Sequence, residues 1–141
     1  MRFWDASALV PLLINEPATE RLKGIGEDEV QMCVWWGTPL ECTAALVRRE
    51  RGAAITADAR DYGLAALAKL SELWFVIGPD AELREAAIRA VRLHGLVAGD
   101  ALQLAAALEW AGGRPAGHPL VTLDRELRAA ARLEGFTLLP E

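Results

Sequence analysis

Asp5, Glu41, Asp100 and Asp124 each stand where a short apolar run or a loop gives way to a helical pattern. In an open α/β sheet, the carboxyl ends of the strands and the first helical turns beyond them form the edge on which sites are built. Carboxylates gathered on one such edge repel each other, and a divalent cation held by oxygen ligands relieves that repulsion. Hard oxygen donors suit Mg²⁺ or Mn²⁺, and the absence of clustered His or Cys disfavours zinc. The chemistry within reach is attack of water on a phosphate ester. A bound cation lowers the pKa of that water, and the same ion or a second one stabilises the leaving oxygen. No side chain presents the pattern of a covalent nucleophile.

Each acid also has an ordinary structural explanation. Glu41 closes a capping box with Thr38, Asp100 and Asp124 each cap the helix that follows, and Asp5 ends a strand. Taken together, the four argue for more. Asp5 and Asp124 both follow short apolar strands, so both emerge at the carboxyl edge, and they flank the crevice if the first and fourth strands are neighbours. Asp100 is the only charge between Arg92 and Glu109 and leads a nearly all-apolar helix. A half-buried carboxylate there needs a partner. Ser7 and Thr122 each sit two residues from an acid. They either orient a carboxylate or a metal-bound water from behind, or serve as helix cap and strand residue.

The elements that position these residues follow from pattern. Strands are expected at Arg2–Asp5, Val30–Trp36, Trp74–Ile77, Leu120–Leu123 and Phe136–Leu139. Ser7 is the expected cap of a helix from Ala8 toward Asn15, and a second helix follows Pro17 to Gly24 or Gly26. Thr38-Pro39-Leu40-Glu41 has the form of a capped helix start with Pro in the first turn, running to Arg51 before Gly52. Further helices span 56–73, 80–94, 101–110 and 125–133. Strands alternating with helices predict an α/β fold, a three-layer α/β/α sandwich around a mostly parallel five-stranded sheet. No repeat or linker interrupts the chain, so residues 1–141 are expected to form one domain.

Composition narrows the function classes. A net charge of −5 argues against a protein that coats nucleic acid nonspecifically, yet it admits a nuclease, because metals restore positive charge at a carboxylate site. Cys33 and Cys42 fit no zinc or redox spacing and read as buried free thiols in a reducing compartment. The first residues lack a signal peptide's apolar core, and no stretch reaches the length of a membrane span. The expected location is cytoplasmic. His94 and His118 flank loops and read as surface residues.

The set Asp5-Ala6-Ser7-Ala8-Leu9-Val10, Glu41 early in a central helix, Asp100-Ala101-Leu102-Gln103-Leu104-Ala105 and Val121-Thr122-Leu123-Asp124 resembles the PIN domain. More narrowly it resembles the VapC-type toxins of toxin–antitoxin (VapBC) pairs. The resemblance spans the whole chain, with motif order and spacing both matched. It implies a PIN-like fold and a Mg²⁺- or Mn²⁺-dependent endoribonuclease that hydrolyses RNA phosphodiesters. Asp5, Glu41, Asp100 and Asp124 would then be the acidic quartet, catalytic and metal-binding, with Thr122 at the hydroxyl position ahead of the fourth acid. Asp5 and Asp100 are expected as principal ligands. Many relatives carry a basic residue shortly before the third acid, where this chain has Leu96-Val97-Ala98-Gly99, so a shared mode of RNA contact is not expected there.

Partners follow from the same resemblance: an RNA substrate, a VapB-type antitoxin whose C-terminal segment lies in a groove and reaches the site, and a second copy in a homodimer. Surplus apolar residues on the first helix (Leu9, Val10, Leu12, Leu13, Ile14) mark either an interface or a fully buried helix. Arg48 and Arg125 are the candidate phosphate contacts, one on the helix of Glu41 and the other beside Asp124. The remaining arginines, including Arg128 and Arg132, read as a solvated helix face. Two other readings stand beside this one. A PIN-like interaction module without catalysis would be expected to have lost one of the acids. A phosphohydrolase of the haloacid dehalogenase type needs a second acid where this chain has Ser7.

Overall fold

A computed structural model describes residues 1–141. Its strands are β1 (Phe3–Trp4), β2 (Cys33–Trp35), β3 (Phe75–Ile77), β4 (Pro119–Val121) and β5 (Thr137–Leu139). They form one sheet in the order β3-β2-β1-β4-β5, and every pairing is parallel. The helices are α1 (Ala6–Leu13), α2 (Thr19–Gly26), α3 (Thr38–Arg51), α4 (Ala57–Ser71), α5 (Ala81–His94), α6 (Ala98–Trp110) and α7 (Arg125–Glu134).

Period-2 alternation divides the core into two layers. Phe3, Cys33, Trp35, Leu120 and Leu138 face one side, where they pack with Leu83, Leu104 and Leu127 of α5, α6 and α7. Trp4, Val34 and Val121 face the other and pack with Leu9, Leu22, Leu46 and Leu67 of α1, α2, α3 and α4. The result is the expected three-layer α/β/α sandwich. Small residues at Ala101, Ala105, Ala106 and Ala107 are all buried and let α6 lie close against the sheet. The face of α1 that looked like surplus is buried too: Leu9, Val10, Leu13 and Ile14 are core, and only Leu12 is partly exposed. Burial within the fold accounts for its composition.

Because β1 lies between β2 and β4, the strand order reverses at β1 and β4, and their carboxyl ends flank the crevice. The backbone N–H of Asp5 donates to the carbonyl of Val121 at 3.0 Å and locks the two ends together.

Three helix starts differ from expectation. α1 begins at Ala6, and its cap is Asp5, which accepts from the Ser7 N–H; a carboxylate already at the strand end caps the helix two residues earlier than Ser7 would. α3 begins at Thr38 with Gly37 as an unassisted cap, because the Thr38 hydroxyl is turned inward, fully buried, toward α6. α6 begins at Ala98, capped by no side chain, which places Asp100 inside its first turn instead of at its cap. No helix is long and apolar enough to cross a membrane.

Candidate metal centre

Asp5, Glu41, Asp100 and Asp124 come from four different elements, and all four line one cleft of about 260 Å³ at the strand-order reversal. Asp5 reaches it from the end of β1, Glu41 from the first turn of α3, Asp100 from the first turn of α6, and Asp124 from the cap of α7.

Asp5 is the most constrained of the four. It is only 3% exposed. Its Oδ2 accepts from the Ser7 N–H at 3.2 Å, from the Ser7 hydroxyl at 2.5 Å and from the Thr122 hydroxyl at 2.8 Å. All of these fall on one oxygen, which leaves Oδ1 unbonded in a residue that lines the cleft. The Ser7 oxygen in turn accepts from the N–H groups of Leu123 and Asp124 at 2.9 and 3.2 Å. Ser7 and Thr122 thus tie α1 to the end of β4 and fix the Asp5 carboxylate from behind. Asp124 caps α7, accepting from the Leu127 N–H at 2.8 Å; its structural role is real and occupies one oxygen.

Glu41 has no capping role. No bond joins it to the Thr38 backbone N–H; its Oε1 accepts from the Gln103 amide at 3.3 Å, across 62 residues of sequence. Asp100 makes no capping bond either. Both of these carboxylates lack the structural explanation that the sequence offered for them.

The electrostatics show that the acids sense each other. Burial, opposed by the hydrogen bond from Gln103 and reinforced by the charges of Asp5 and Asp100, pushes Glu41 up to about 7. Burial and the charges of Asp124, Asp5 and Glu126 push Asp100 up to about 6. Asp5 is raised as well, mainly by burial, partly offset by its hydroxyl and backbone donors, with Asp124 adding to the rise. Cys42, fully buried beside Glu41, is held up at about 12 and is inert as a nucleophile.

This clustering has a consequence for stability. A carboxyl group whose pKa is raised by folding binds its proton more tightly in the native state. Its contribution is therefore favourable at low pH and is lost as pH rises through the folded pKa. For Asp100 and Glu41 that window runs from about pH 4 to about pH 7. We expect the protein in chelator to melt higher at pH 5 than at pH 7.5. After discounting for solvent screening, the difference is on the order of 1–3 kcal/mol, or about 3–10 °C. Added Mn²⁺ at pH 7.5 is expected to restore the loss. Thermal melts in chelator that instead rise from pH 5 to pH 7.5 would show that burial and neighbouring charge do not raise Asp100 and Glu41 in the folded protein.

The donor set fits a hard divalent cation, being all carboxylate oxygen. No three of these groups converge into a ready-made cage. Mg²⁺ does not require one, since it keeps several waters and is typically bound through one or two carboxylates plus substrate phosphate.

Of the candidate phosphate contacts, Arg48 is exposed and lines the cleft, whereas Arg125 is exposed on α7 and is not part of its wall. Arg49 also lines the cleft, but its guanidinium is held by Glu16 at 2.5 Å. Arg128 does not belong to a solvated face. It donates to the carbonyls of Thr122, Leu139 and Pro140 at 2.9–3.2 Å and pins the ends of β4 and β5 beneath the site. His94 bonds Glu134 at 2.7 Å, and His118 packs edge-on against Trp110. Both are half-buried and lie away from the cleft.

The fold has known counterparts. VapC20 of Mycobacterium tuberculosis, a sarcin-ricin loop cleaving toxin, superposes with a TM-score of 0.70 over 97% of both chains at 20% identity. The chain has the fold of a VapC-type PIN-domain toxin. PAE2754 from Pyrobaculum aerophilum matches with a TM-score of 0.64 at 28% identity, covering 98% of this chain and 88% of that one. A toxin–antitoxin complex from Klebsiella pneumoniae matches with 0.61 at 15% identity, over 88% of this chain and 87% of that one. No protein-family model and no curated protein matches the sequence.

Proposed function

We propose that this protein is a Mg²⁺- or Mn²⁺-dependent endoribonuclease, the toxin of a VapBC-type pair, built as one PIN domain over residues 1–141. The observation that carries the reading is the meeting of four carboxylates from four elements in one cleft at the sheet's reversal point. Two of them, Glu41 and Asp100, make no capping bond that would explain them. The likeness to a toxin that cleaves the sarcin-ricin loop supports RNA as the substrate class.

Asp5 and Asp100 are the principal metal ligands in this account. A bound cation would activate water for attack and stabilise the charge on the leaving oxygen. Asp5 offers Oδ1, its other oxygen being fixed by Ser7 and Thr122. Glu41 and Asp124 complete the acidic wall or orient the attacking water, and Glu41 can accept its proton. Arg48, on the rim, neutralises a phosphate of the bound strand.

The partner in this reading is a VapB-type antitoxin. A mostly apolar groove of about 600 Å³ at the C-terminal end of α1, lined by Leu12, Ile14, Ile55 and Tyr62, offers a place for part of its C-terminal segment. A cytoplasmic location and a homodimer belong to the same proposal. Expression of the wild-type chain alone is expected to arrest bacterial growth, while equal expression of Asp5→Asn leaves growth unaffected. Equal arrest by both chains would favour a non-catalytic interaction module.

A further inference from the structure

Gln103 is the one fully buried side chain on α6 that is polar, in a run that continues with the buried apolar residues Leu104, Ala105, Ala106 and Ala107. At such a position Leu or Met would fill the space without any polar atom to satisfy. The amide instead spans two helices. Its Nε2 donates to the Thr38 hydroxyl at 3.2 Å and to Glu41 Oε1 at 3.3 Å, while its own Oε1 is buried with no partner. Thr38 and Glu41 lie one turn apart on α3, and Asp100 and Gln103 lie one turn apart on α6. Turning the amide over would set Oε1 against the Glu41 carboxylate, so the orphaned oxygen is the cost of presenting a donor to that acid.

We propose that Gln103 is a positioning residue: its buried amide fixes the Glu41 carboxylate relative to Asp100 and thereby sets the affinity of the cleft for a divalent cation. The inference rests on the metal reading of the cleft given above. Groups that hold a ligand's orientation from behind typically contribute about 10–100-fold to metal affinity. Thr38, anchoring the far side of the same amide, contributes in the same direction and less.

Calorimetric titration of the full-length chain with Mn²⁺ at pH 7.5 tests this, with a metal-free melting curve on each sample. Gln103→Met, which keeps the volume and removes the donor, is expected to weaken Mn²⁺ binding about 10–100-fold with the melting temperature unchanged or raised. Thr38→Val is expected to give a smaller loss, and it decides the matter if Gln103→Met does not fold. In a Glu41→Ala background, Gln103→Met is expected to add nothing further. Wild-type affinity in both Gln103→Met and Thr38→Val would overturn the inference, as would an undiminished effect of Gln103→Met in the Glu41→Ala background. Failure of the wild type itself to bind Mn²⁺ would overturn the metal reading and this inference with it.

Discussion

Asp5→Asn and Asp100→Asn are each expected to lower RNA cleavage by about 10²–10³-fold or more, the scale on which loss of a single preorganised charge-stabilising group acts, with both proteins remaining folded. The amide at position 5 is nearly isosteric, and its oxygen can accept from Ser7 and Thr122 as the carboxylate does, so the cap of α1 survives. What is lost is the charge. Because burial and neighbouring acids already raise Asp5 and Asp100, removing either charge is expected to hold or increase the melting temperature at pH 7.5. Asp5→Ala is the contrasting case. It strands buried donors from Ser7 and Thr122, each at a cost of about 1–3 kcal/mol, and destabilises the protein as well as silencing it. Activity and stability thus move apart in the Asn variants and together in the Ala variant. Melting curves and cleavage rates on the same samples check this, and wild-type turnover by folded Asp5→Asn would remove Asp5 from the site.

Glu41→Gln carries the second large effect. The carboxylate makes no capping bond, so the amide costs little structure; it removes an acid that burial and the charges of Asp5 and Asp100 push up to about 7. Turnover is expected to fall by about 10²-fold or more, the range for loss of a positioned base, while the melting temperature at pH 7.5 stays level or rises. Near-wild-type cleavage with saturating Mn²⁺ would leave only three acids in the site. A drop in activity matched by a drop in melting temperature would return Glu41 to a structural role.

Much of this was legible in the chain. The apolar runs ahead of Asp5 and Asp124 announced parallel strand ends, and the β1–β4 adjacency needed for the two to meet is what the sheet has. The helix starts were less legible, because local capping signals compete. Ser7 and Thr38 both look like caps, yet Ser7 is drawn into the Asp5 and Asp124 network and Thr38 into a bond with α6. The partner of Thr38 lies 65 residues away, and Ser7 and Asp124 are 117 residues apart. Gln103 was not visible as part of the site for the same reason: within an apolar run it reads as one polar interruption, and only the meeting of the first turns of α6 and α3 at the carboxyl edge of the sheet brings it to Glu41. Arg128 shares the spacing of a solvated helix face, and its carbonyl partners are set by how β5 docks beside β4.

The most direct measurement of the central claim is cleavage of a labelled single-stranded RNA by the purified chain. It is run in Mn²⁺, then in excess chelator, then with Mn²⁺ replenished, beside a folded Asp5→Asn, Asp100→Asn double variant. The account predicts endonucleolytic fragments with Mn²⁺, none in chelator, recovery on replenishment, and none from the double variant under any condition. Cleavage that persists in chelator, or that the double variant performs as well as the wild type, would contradict it.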